Sequence, residues 1–65
     1  MKFHLAVKKA MAGAKITRPE ELKKSHIVWS ETNATLERVY ANGTIKAPRF
    51  YSKDVLAEDW KVVNG

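Results

Sequence analysis

The sequence predicts an α+β fold: an N-terminal helix packed on a small antiparallel sheet of about four to five strands, with a short capped turn before the last strand. Three observations carry it. Apolar residues recur at helical spacing over the first dozen positions. Short runs rich in β-branched and aromatic residues then follow one another, separated by turn residues. An Asn42-Gly43 pair sits between two such runs, and that dipeptide favours a tight hairpin.

Residues 2–12 read as the helix. Phe3, Val7, Ala10, Met11 and Ala14 fall on one stripe with Ala6 beside them, while His4, Lys8 and Lys9 fall elsewhere. Gly13 stands where a C-terminal cap belongs. Lys8 and Lys9 lie near the negative end of the helix dipole. Residues 14–18 form a short strand around Ile16, ended by Pro19. Pro19 to Lys24 fits one helical turn, with Pro first and two acids behind it. Residues 26–31 and 35–40 read as strands joined by Thr32-Asn33-Ala34. A two-residue type I′ turn at Asn42-Gly43 then leads into a strand over 44–51. That turn places Tyr40 opposite Ile45 and Arg38 opposite Ala47 on one face, and Val39 opposite Lys46 on the other. Pro48 makes this strand an edge or a bulge. Ser52 or Asp54 can cap a short turn over 55–57. Residues 60–63 close the sheet, with Trp60 reading as core, and Asn64-Gly65 reads as a frayed end.

Sixty-five residues make one domain. A chain this short buries only about 60% of its unfolded surface, so its stability is marginal. It has no Cys, and its two His residues, His4 and His26, are far apart without acids at ligand spacing. Neither a disulfide nor a metal site is expected, which leaves self-association as the reinforcing device. No apolar run approaches the roughly 20 residues of a membrane span, and the first residues do not read as a signal peptide. The expected placement is cytoplasmic.

The net charge is +5. The excess lies in residues 1–18, which carry Lys2, Lys8, Lys9, Lys15 and Arg18 and no acid. A basic third of this kind can attract phosphate, or simply keep a surface solvated. No nucleophile–base pair, metal set or cofactor loop is present, so no catalytic residue and no cofactor is expected. Asp54 and Asp59 read as acceptors for turn backbone rather than catalytic acids. A basic nucleic-acid binder is one reading of the charge. Against it, the aromatics do not interleave with the cations as a single-strand groove requires.

Two stretches carry a resemblance. Phe3, Gly13 and Lys15-Ile16-Thr17-Arg18 open the chain. Asn42-Gly43-Thr44, Ser52 and Asp54-Val55-Leu56-Ala57-Glu58-Asp59-Trp60-Lys61-Val62-Val63 close it. Together they resemble a small phage family, the Thoeris anti-defence proteins of the second type, over about the first 18 and last 24 residues. The chain departs from that pattern at Glu21, where the family carries a Trp, and in a Ser52-to-Asp54 spacing one residue shorter. The resemblance implies a homo-oligomer that sequesters a cyclic nucleotide-derived immune signal without cleaving it, in pockets between protomers. Such a ligand needs cations for phosphate and flat rings for the base. The residues that would supply them are Arg18 and Arg49 for phosphate and Trp29 and Tyr40 for stacking, with Ser52 and Asp54 at the rim. The alternative is an accessory or inhibitor protein acting through protein contacts.

Overall fold

The computed structural model describes residues 1–63; Asn64 and Gly65, read above as a frayed end, lie outside the described residues. A nine-residue helix α1 (Phe3–Met11) is followed by β1 (Lys15–Thr17), a 3₁₀ turn (Pro19–Glu21), β2 (Ser25–Ser30) and β3 (Thr35–Tyr40). Then come β4 (Ile45–Lys46), a short helix α2 (Ser52–Leu56) and β5 (Lys61–Val63). The five strands form one sheet in the order β4-β3-β2-β1-β5, and every described pairing is antiparallel. The fold is α+β, as the patterning predicts.

The helix ends as its sequence dictates. Gly13 adopts φ +107°, which a side chain resists. Its N–H donates to the Ala10 carbonyl at 2.9 Å, and the Ala14 N–H reaches back to Lys9 at 3.0 Å. This paired closure satisfies two carbonyls the helix leaves open. The buried stripe is Phe3, Ala6 and Ala10; Met11, placed on that stripe by spacing, is half exposed instead. With two alanines as its inner face, α1 lies close on the sheet.

Residues opposite one another in the ladders share a face. Val62, Ile16 and Ile27 form one such row, and α1 covers it. Ala6, Ala10, Ile16, Ile27 and Trp60 are the buried core. Phe3, Phe50 and Trp60 add a ring cluster with centroids 5.1 to 6.3 Å apart, at edge-on or tilted angles that such rings prefer. Trp60 is therefore core, immediately before the last strand rather than within it. Its indole N–H donates to the Asp54 carbonyl at 2.8 Å, so its one polar atom is satisfied.

The β3–β4 hairpin differs from expectation. Tyr40 N–H donates to Thr44 at 2.8 Å, and Gly43 N–H donates to Tyr40 at 2.9 Å. Only Gly43 has positive φ there, +88°, whereas a type I′ turn needs it at Asn42 as well. The loop is three residues, Ala41 to Gly43, with Gly43 left-handed after a tight turn. Asn42 stabilises it by accepting the Thr44 N–H on its side-chain oxygen at 3.0 Å. The extra residue shifts the register by one. Val39 faces Ile45 and Arg38 faces Lys46, not Lys46 and Ala47. A one-residue slip turns every side chain of the strand to the other face. The strand also stops early, at Lys46 rather than 51, since Pro48 has no N–H to continue the ladder. The helix expected over 55–57 begins at Ser52. Its first turn is held by Asp54, whose Oδ2 accepts the Tyr51 N–H at 2.9 Å.

Among the described residues, no helix is long and apolar enough to cross a membrane.

Candidate functional site

Beyond Ile27, the helix-covered face of the sheet changes character. Arg38 lies opposite Ile27, with Lys46 opposite Arg38, and Tyr40 follows two residues along β3 on the same side. The segment from Ala47 to Lys53 arches back over these residues because Phe50 is drawn into the ring cluster. The 3₁₀ turn supplies the facing wall. The result is a groove of about 430 Å³ with Arg38, Tyr40 and Lys46 as floor. Arg49, Tyr51, Lys53 and Asp54 line one side, and Glu20 and Glu21 the other. That volume falls within the range of small-ligand sites, roughly 300–1,000 Å³.

Four cations and three acids line the groove. Two of the acids, Glu20 and Asp54, are already bound to Arg18. Among the described residues, Arg38, Lys46, Arg49 and Lys53 form no salt bridge. Arg38 instead donates to the Ser25 hydroxyl at 2.8 Å. The Lys46 ammonium lies 5.9 Å from the centre of the Tyr40 ring, a cation–π arrangement. Arg38 and Lys46 stand directly opposite each other across the ladder. Like charges in that position destabilise a sheet. Their placement together makes sense for a surface that receives an anion.

Arg18 lies just behind the groove and is engaged by three carboxylates. Its Nε and Nη2 donate to the two oxygens of Asp59 at 2.9 and 3.4 Å. Its Nη1 donates to Asp54 at 2.9 Å and to Glu20 at 3.0 Å. The hydrogen bonds it donates to Asp59 and then to Asp54 raise the guanidinium pKa above its ordinary value. Asp59 is held below the usual carboxylate range chiefly by its bond from Arg18. Partial burial pushes the Asp54 carboxyl up, but the Tyr51 amide and Arg18 outweigh it and hold it down. A phosphate reaching Arg18 would have to displace a carboxylate. Arg18 acts as a positioning residue that fixes Asp54, and with it α2 and one wall of the groove.

The residues singled out in the sequence divide accordingly. Tyr40, Arg49 and Asp54 meet in the groove. Arg18 touches Asp54 from behind. Trp29 lies elsewhere, in an apolar hollow with Leu36, Pro48 and Phe50. Ser52 is exposed at the first position of α2 and lines neither space. Arg38, Lys46, Tyr51 and Lys53 are groove residues that the sequence reading passes over. The signal for the first two is the alternation of Arg38 with Tyr40, but the two-residue turn sets Lys46 on the wrong face. Among the described residues no group of three His, Cys, Asp or Glu side chains is arranged to hold a metal ion.

The chain matches no protein-family model and no curated protein.

Proposed function

We propose that this protein binds and sequesters a cyclic nucleotide-derived signal without transforming it, as the resemblance to the phage anti-defence family implies. It would act in the cytoplasm of the host cell and as a homo-oligomer, with a second protomer closing the groove. The observation that carries this reading is the convergence of four cations, none in a salt bridge among the described residues, with the rings of Tyr40 and Tyr51 around one groove. Guanidinium and ammonium groups hold phosphate through charge-assisted hydrogen bonds. The tyrosine faces offer a base a stacking surface whose hydroxyls stay wet. Glu21 can accept from a ribose hydroxyl or a base N–H.

Native mass spectrometry with cyclic ADP-ribose isomers and cyclic dinucleotides tests it. The expected result is a ligand-bound oligomer from which heat releases the nucleotide unaltered. Replacing Arg38 and Arg49 together by Ala should weaken binding at least about tenfold, since a hydrogen bond to a charged group is worth about 1.5–3 kcal/mol. Absence of any bound mass and any calorimetric heat across the panel, or recovery of a cleaved nucleotide, overturns the reading.

A further inference from the structure

The sheet face turned away from α1 is more apolar than a solvated face needs to be. Both helices and the groove lie on the other side. An antiparallel sheet with one wet face ordinarily alternates apolar inward and polar outward. Here the outward positions include Val28, Val39, Ile45 and Val63, and Ile45 is 57% exposed. We propose that a second copy of this chain packs on this face, sheet against sheet, about a two-fold axis running along β2. This does not depend on the nucleotide reading, and it leaves the grooves open on the outer sides of the pair.

Register supplies the first observation. Val63 lies beside Lys15, and Val28 beside Glu37. One step along the ladder from the Ile16–Ile27 pair, Lys15 lies beside Val28. One row across the sheet therefore reads Val63, Lys15, Val28, Glu37. Lys15 and Glu37 flank Val28 at equal distances, one strand spacing of about 4.8 Å each. The next row carries His26, Val39 and Ile45.

Symmetry selects the occupant. A two-fold interface joins one patch to itself, so each residue must find its complement on that same patch. With the axis along β2, Val28 meets its own copy. Lys15 meets the Glu37 of the second copy, and Glu37 meets its Lys15. Two ion pairs then flank an apolar centre. Among the described residues, neither Lys15 nor Glu37 forms a salt bridge within the chain. The Glu37 carboxylate accepts only from the neutral Asn33 amide, at 3.2 Å. Packed sheets cross at about 30°, which displaces groups one strand from the axis by only about 2–3 Å. A lysine stem spans that shift. The same rotation sets Ile45 against Lys61, whose methylene stem can cover it. His26 meets its own copy. Burial and then Lys15 hold its pKa below the ordinary value, so it adds no repelling charge at neutral pH.

Sedimentation velocity of the full chain tests the proposal, with circular dichroism confirming that each variant is folded. The parent should form a concentration-dependent dimer. Lys15→Glu and Glu37→Lys should each weaken it at least about tenfold, because each sets like charges opposite one another twice. Mixed one to one, the two variants should pair as tightly as the parent, since every charge then meets its opposite. Replacing Arg38 and Arg49 by Ala should leave the dimer unchanged. On the parent alone, dilution should shift the methyl NMR signals of Val28, Val39 and Ile45 and leave Tyr40 unmoved. Three results overturn the proposal: a parent that stays monomeric at millimolar concentration, an oligomer that neither charge swap weakens, or folded single variants that fail to pair when mixed. The second would place the contact at the groove or a sheet edge.

Discussion

Asp54 joins more of the structure than any other single side chain of the acidic closing stretch. One oxygen holds the N-terminus of α2, the other holds Arg18, and its carbonyl holds the Trp60 indole. Sequence spacing identifies it as a capping residue, since an acid two or three positions into a helix accepts backbone N–H groups. The partnership with Arg18 is not legible, because it joins positions brought together only by the sheet. The same holds for Arg18 itself. Glu20, two residues on, is a local partner, but Asp54 and Asp59 reach it from the far end of the chain. Lys46 shows the opposite case, a cation held beside another without a compensating acid. Lys46→Thr should raise stability in urea denaturation by about 0.2–1 kcal/mol, the range of a cross-strand pair, while weakening nucleotide binding in calorimetry. A loss of stability would show that the Lys46–Tyr40 contact outweighs the repulsion.

At the scale of the element, the β3–β4 hairpin decides which side chains reach the groove. The existence of both strands and of the turn can be read from Thr35 to Tyr40 and from Asn42-Gly43. The register cannot, because Asn-Gly fits both a two-residue loop and a three-residue loop ending in a left-handed Gly. The structure adopts the second, and Lys46 joins Arg38 instead of facing away. Gly43→Ala tests this assignment. The space around Gly43 is open, so the substitution meets only the conformational penalty at φ +88°. It should cost about 1 kcal/mol in a denaturant midpoint and lower nucleotide affinity if the register loosens. An unchanged midpoint would exclude a left-handed residue at this position. The early end of β4 is partly legible, since Pro48 interrupts any ladder. Phe50 gives no local sign that it will leave the strand for the rings of Phe3 and Trp60.

For the whole molecule, the fold class follows from patterning that each stretch carries on its own: a helical stripe and a set of short alternating runs. The strand order does not, because β5 pairs with β1, which precedes it by more than half of the sequence. The core is small, and Trp60 is its largest member. A chain of 65 residues has a total stability of roughly 3–10 kcal/mol. Truncating a buried aromatic costs about 3–5 kcal/mol. Trp60→Ala should therefore remove from about a third to all of that stability, read as a large drop in the denaturant midpoint followed by near-ultraviolet circular dichroism. Trp60→Phe should keep the fold at a cost of about 1–3 kcal/mol, because the Asp54 carbonyl loses its donor. If both variants melt like the parent, the ring cluster does not hold the molecule together.

The pairing of β1 with β5 also bears on synthesis. The β2–β3 hairpin is local and can form as soon as both strands are made. Helix α1 and β1 emerge earlier, but the surface they bury is completed by Trp60 and β5. Until Trp60 has left the ribosome, Ile16 and Ile27 have no complete core to enter. The nascent chain then carries sticky apolar surface and an open strand edge, the features that make partly made chains aggregate. Folding must await the synthesis of Trp60 and β5, and a ribosome stalled before Trp60 holds a client for chaperones instead of a domain.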